Sequence, residues 1–125
     1  MDKDKAKIRL LVVDDERGLC AGVQEALGRE GYTVDAANDA RTALTLVAAH
    51  SYQLVVTDVR MPDMTGLQLL QAVRPHHRDT QFILMTAFGT VENAVEAMKA
   101  GAYDYLTKPL DLSRLRVLVA KALEF

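Results

Sequence analysis

Apolar stretches of strand length alternate with segments of helical period five times along the chain. The first stretch is 8–13, and a helix is expected from about Glu16 to Glu30, with Leu19, Val23, Ala26 and Leu27 on one face and Gly31 as its stop. In 32–37, Tyr32, Val34 and Ala36 alternate with polar residues, as in an edge strand with one wet side. A second helix starts at a cap on Asn38 or Asp39 and runs to about Ala49. Leu54–Thr57 reads as the third strand, and about Thr65–Val73 as a helix closed by Pro75. Phe82–Met85 is the fourth strand. The next helix follows a Thr90 cap, presents Val91, Ala94, Val95 and Met98, and stops at Gly101. A last strand at about 103–106 leads to a helix capped by Asp111 or Ser113, with Leu112, Leu115, Leu118, Val119 and Ala122 inward and Val117 off that stripe.

Strands alternating with helices predict an α/β fold with a parallel sheet covered on both faces. The second strand is the least apolar and therefore peripheral. That fits a doubly wound, flavodoxin-like five-stranded sheet in the order 2-1-3-4-5, occupying residues 1–125 as a single domain. In this order strands one and three are neighbours, and the chain leaves them toward opposite faces. A crevice opens beyond their C-terminal ends.

The polar residues that end these strands now acquire meaning. Asp14 and Asp15 follow the first strand, Asp58 the third, Thr86 the fourth and Lys108 the fifth. Carboxylates drawn together repel one another unless a cation compensates them. Oxygen ligands without a Cys/His cluster suit magnesium, or manganese, better than zinc. Magnesium binds through one or two carboxylates plus phosphate oxygens, which leaves a carboxylate able to act as a nucleophile and form an acyl phosphate. Capping of the first helix explains one acid of the Asp14-Asp15 pair, but not two with Asp58 opposite.

Composition narrows the alternatives. The 125 residues are half hydrophobic, enough for a core without staples, and carry 15 basic and 17 acidic side chains for a net charge of -2. No Lys/Arg run forms a phosphate-tracking face, so nucleic-acid binding by this segment is not expected. The mixed Asp2-Lys3-Asp4-Lys5 reads as a solvated end, and the lone Cys20 as a small buried or half-buried side chain. His50, His76 and His77 lack metal-ligand spacing. No stretch approaches bilayer length and no signal peptide opens the chain, so the expectation is a cytoplasmic protein without a membrane partner.

Val12-Val13-Asp14-Asp15-Glu16, Thr57-Asp58-Val59-Arg60-Met61-Pro62-Asp63-Met64-Thr65-Gly66, Met85-Thr86-Ala87 and Tyr105-Leu106-Thr107-Lys108-Pro109 together resemble the receiver domain of bacterial two-component response regulators. The resemblance covers essentially the whole chain. It implies that Asp58 is the phosphoacceptor for a sensor histidine kinase. It implies further that Asp15, Asp58 and the Arg60 carbonyl ligate magnesium, with Asp14 acting largely through a metal-bound water. Lys108 would pair with the phosphoryl group, Thr86 and Tyr105 would be the switch pair, and the Lys108-Pro109 bond would be cis. The segments from Ala87 to Glu92 and from Gly101 to Asp111 are similar to receivers of the NtrC type. Those precede an AAA+ ATPase and a DNA-binding domain, and form or lose dimers on phosphorylation. Arg60 and Phe88 flank the site and are expected to limit water access.

Two rival readings use the same scaffold. A magnesium-dependent phosphohydrolase of the haloacid dehalogenase kind also works through an aspartyl phosphate. It carries Asp-x-Asp rather than adjacent acids, however, and usually has a cap domain, for which 125 residues leave little room. A non-phosphorylated interaction module would not need every site residue. Dinucleotide binding lacks its G-x-G-x-x-G after strand one.

Overall fold

The computed structural model describes residues 5–87 and 91–124, of 91–93 the backbone only. The strands are β1 (Arg9–Val13), β2 (Thr33–Ala37), β3 (Leu54–Asp58), β4 (Gln81–Thr86) and β5 (Asp104–Thr107). The helices are α1 (Arg17–Arg29), α2 (Ala40–Ala49), α3 (Gly66–Val73), α4 (Val91–Lys99) and α5 (Leu112–Ala122). All pairings are parallel and the order is β2-β1-β3-β4-β5, as the apolar pattern predicts.

The two-residue period of a strand sends alternate side chains to opposite layers. Leu10, Val12, Leu54, Val56, Ile83 and Met85 pack with Cys20, Val23 and Leu27 of α1 and Leu115, Val119 and Ala122 of α5. Leu11, Val13, Val55, Phe82 and Leu84 pack with Ala43 and Val47 of α2, Leu69, Leu70 and Val73 of α3, and Ala97 of α4. Removing such side chains from water contributes about 1.5–3 kcal/mol each before chain entropy is counted. β1, β3 and β4 are therefore held from both sides, and the polar residues at their ends are carried on a stiff frame.

Helix ends follow local chemistry. Asp39 caps α2 by accepting from Thr42 N. Thr65 and Gln68 form a reciprocal capping box on α3, and Asp111 accepts from Ser113 N and Arg114 N at the start of α5. Gly31 and Gly101, which follow α1 and α4, adopt φ of 105° and 100°, a left-handed conformation that favours glycine. The expected Thr90 cap, Phe88 and the segment Asp2–Asp4 lie outside the described residues.

Three details depart from the sequence pattern. The polar side of β2 is not simply wet: Asp35 accepts from Arg9 Nε at 2.8 Å and from the Tyr52 hydroxyl at 2.6 Å. Burial pushes the Asp35 carboxyl up, but the Tyr52 and Arg9 hydrogen bonds outweigh it and hold the group below the ordinary range. On α4, Val95 and Met98 are 44% and 49% exposed, while Ala97 is buried. That helix meets the sheet through small residues near its edge, and its apolar stripe is wider than the surface it covers. On α5, Leu115, Val119 and Ala122 make the contact one turn into the helix, whereas Leu112 in the first turn stays exposed, as does the expected outlier Val117.

Candidate functional site

The C-terminal ends of β1 and β3 lie side by side, with Val13 paired to Thr57. The next residues are Asp14, fully buried, and Asp58, 7% exposed; Asp15 beside them is exposed. One carboxylate oxygen from each of Asp14, Asp15 and Asp58 lies within 4.8 Å of the other two. Residues forty-odd positions apart in sequence thus share one pocket.

The flanking strands add a cation and a hydroxyl. Lys108 Nζ donates to Asp14 Oδ2 at 2.8 Å and lies 3.4 Å from Asp58 Oδ2. The Lys108 N–H donates to the Thr86 carbonyl at 2.8 Å, which extends the β4–β5 pairing by one step and fixes the base of the lysine. The Lys108–Pro109 peptide bond is cis. Thr86 ends β4 and is buried. Thr86, Tyr105, Val59, Leu84 and Ala97 border a cavity of about 40 Å³, room for roughly one water. Tyr105 is partly buried against the α2–α4 core.

Electrostatics follow from this crowding. Burial, and then the Asp14 charge, push the Asp58 carboxyl above its ordinary value, and the Lys108 ammonium and the Arg60 N–H pull it back only partly. For Lys108, burial disfavours the ammonium, but Asp14 and Asp58 outweigh it and keep the group charged. The ammonium thus lies against two of the three clustered carboxylates, Asp14 and Asp58, and the cluster is a donor set made only of oxygen. That set fits a hard divalent cation such as magnesium. The Arg60 side chain is exposed, at the start of the loop where its N–H meets Asp58.

The sequence reading missed several residues that hold this pocket. Gly66 opens α3 directly against the end of β3. A methyl group there would collide with the Asp58 carbonyl oxygen and stand 3.1 Å from its carbonyl carbon. Gly66→Ala is therefore expected to displace the Asp58 backbone and cost about 1–3 kcal/mol. A denaturant midpoint and an NMR shift map centred on residues 57–66 would check this, and an unperturbed map would refute it. The glycine stands in the loop motif read from sequence, but only the α3–β3 packing reveals why it must lack a side chain. Asn38, considered as a helix cap, instead donates from its side-chain amide to the Asp14 carbonyl at 2.9 Å. Asp63, read as part of a turn, accepts from Ala40 N and Arg41 N of α2 at 3.2 and 2.9 Å. Neither contact leaves a signal in the local sequence, because both partners are remote.

This fold and this acidic edge define a class, and comparison with known proteins agrees. The profile of the response regulator receiver domain matches residues 10–120. The chain belongs to the response regulator receiver domain family, and its likeness within it is to receivers of the NtrC type. It is 43% identical over 116 residues to the regulatory protein AtoC of Escherichia coli, covering 93% of this chain and 25% of that protein. It is 44% identical over 119 residues to the transcriptional regulatory protein ZraR of Salmonella typhimurium, covering 95% of this chain and 27% of that protein. The chain thus spans about a quarter of the length of these curated relatives. Among solved structures, the beryllofluoride-activated NtrC4 receiver domain dimer superposes with a TM-score of 0.86 at 34% identity, covering 91% of this chain and 94% of that one. A CheY4 structure from Vibrio cholerae superposes at 0.88 with 30% identity, covering 93% and 98%. Family membership places the chain among signalling domains of two-component systems. No described helix is long and apolar enough to cross a membrane.

Proposed function

We propose that Asp58 accepts a phosphoryl group from the phosphohistidine of a sensor kinase, and that the resulting charge resets the face formed by α4, β5 and α5. The observation that carries this reading is the convergence of the Asp14, Asp15 and Asp58 carboxylates, with the Lys108 ammonium beside Asp14 and Asp58. An Asp58 carboxylate oxygen attacks phosphorus as the P–N bond to the kinase imidazole breaks. An O–P bond forms, and the imidazole nitrogen takes up a proton. Asp14, Asp15, Asp58 and the Arg60 carbonyl would hold magnesium, or manganese, which supplies charge neutralisation and in-line orientation for the transfer.

The chain's own residues do the rest. Lys108 is positioned to exchange part of its pairing with Asp14 for a phosphoryl oxygen. The Thr86 hydroxyl turns toward the new dianion, and Tyr105 follows into the space between them. The outcome is a population shift between two packings, biased by one local charge. The protein would act as a cytoplasmic switch rather than a metabolic enzyme. Its output would lie in further domains, an AAA+ ATPase and a DNA-binding domain, as the length of the curated relatives suggests. Phosphorylation-dependent dimerisation fits the description of the NtrC4 neighbour as an activated dimer.

Incubation with a small phosphodonor tests this. With millimolar magnesium, the intact mass should rise by one phosphoryl group, and the adduct should be labile to hydroxylamine. A chelator should suppress the adduct by about two orders of magnitude, the scale of a lost electrostatic contribution to transfer. Equal labelling with and without metal would overturn the metal-assisted reading.

A further inference from the structure

The N-terminus of α2 joins two loops that have no sequence relation to each other. An α-helix begins with four backbone N–H groups that have no partner within the helix. In α2, Thr42 N donates to the Asp39 side chain, and the first helical bond runs from Ala43 N to the Asp39 carbonyl. Two more of the four, Ala40 N and Arg41 N, donate to the two carboxylate oxygens of Asp63. Asp63 lies 22 and 23 residues away, in the loop that runs from Asp58 to α3.

That loop is fixed at both ends. Val59 N donates to the Met85 carbonyl and Gly66 N to the Val59 carbonyl, each at 2.8 Å. Between them, Met61 and Met64 rest partly buried on the core. The Asp63 pair of bonds is a polar tie at the bend of this loop. The residue before Asp39 completes the junction: Asn38 donates to the Asp14 carbonyl and accepts from Arg17. One helix end therefore touches both the Asp14-Asp15 loop and the loop that bears Arg60. The Arg41 N–H is the main influence that holds the Asp63 carboxyl below its ordinary value, so the tie persists in its ionised form.

We propose that Asp63 is a positioning residue for the cation site: by gripping the end of α2 it holds the Arg60 carbonyl in register with Asp14, Asp15 and Asp58. The proposal rests on the reading of these groups as a magnesium site. It assigns Asp63 no contact with the metal. Removing a partner that orients metal ligands weakens metal binding by 10–100-fold in general. Because Asp63 is exposed and acts through the backbone, the low end applies.

The experiment is a magnesium titration, followed by calorimetry or NMR, of the wild-type chain, Asp63→Ala and Asp39→Ala. Both variants remove bonds from the start of α2 and should lower the melting temperature comparably. Only Asp63→Ala should weaken magnesium binding, by about tenfold. Asp63→Asn, which retains an acceptor oxygen, should recover part of the affinity. Wild-type affinity in Asp63→Ala, or an equal loss in Asp39→Ala, would overturn the positioning role alone. A wild-type chain that binds no magnesium would remove the metal reading, and this proposal with it.

Discussion

Lys108→Ala should lower the thermal midpoint by roughly 10 °C at neutral pH and low salt. The ammonium it removes is the cation paired with Asp14, which is fully buried, and lies 3.4 Å from Asp58 Oδ2. Removing one partner of a buried ion pair costs about 3–5 kcal/mol, because the charge left behind has lost its water and its counter-ion. The lysine side chain is 18% exposed, so the lower end applies, about 3 kcal/mol. For a chain of this length that corresponds to the stated shift.

Two further behaviours separate this cause from simple loss of packing. Without the ammonium, which pulls it down, the Asp58 carboxyl is pushed further upward. An acid whose folded value lies above its unfolded value costs stability once ionised, and the cost fades as pH falls. The deficit of Lys108→Ala relative to wild type should therefore shrink on acidification toward pH 4. Millimolar magnesium should also raise the variant's midpoint more than the wild type's, since a divalent cation replaces the missing charge. Calorimetric melts across pH with and without magnesium would check both, and an unchanged midpoint would show that the pair contributes little.

Asp58→Asn should behave in the opposite way on stability while losing function altogether. The Asp58 carboxyl sits above its ordinary value of 3.8, raised by burial and by the Asp14 charge. Its ionisation therefore works against folding: the penalty is absent below pH 3.8 and complete once pH exceeds the folded value. Asparagine keeps the shape and removes the charge. Near neutrality the variant should melt at a higher temperature than wild type, and the two should converge in acid. Labelling by a phosphodonor should fall to background, because an amide cannot serve as the nucleophile. A variant that gains stability and loses all label would place the cost and the chemistry on one carboxylate. Lower stability at neutral pH would mean that the Lys108 attraction outweighs the repulsion.

Much of this was legible in the chain. The central strands β1, β3 and β4 are short, continuous apolar runs buried on both faces, so length and composition suffice to find them. The parallel order follows from their alternation with helices, and the order brings Asp14, Asp15, Asp58, Thr86 and Lys108 to one edge. What remained hidden depends on tertiary contacts. The stripe of Val95 and Met98 reads as a core face, but the small Ala97 takes that place because α4 lies near the sheet's edge. Leu112 fits the inward period of α5, yet the packing starts at Leu115. Asp35 looked like the solvated side of an edge strand, but Arg9 and Tyr52 close around it from β1 and from the turn before β3. Asp63, Asn38 and Gly66 each act on a partner that is remote in sequence or visible only once α3 is packed. Periodicity cannot register such contacts.

The most direct measurement is the location of the phosphoryl group. After brief exposure to a small phosphodonor and magnesium, the adduct can be trapped by borohydride reduction and mapped by peptide mass spectrometry. Modification should fall on Asp58 alone, with Asp14 and Asp15 unmodified, since in the proposed reading those two would hold the cation and Asp14 also pairs with Lys108. Label on Asp14 or Asp15 in the wild-type chain, or on any residue away from the C-terminal edge of the sheet, would show that this pocket is not built around Asp58 as its acceptor.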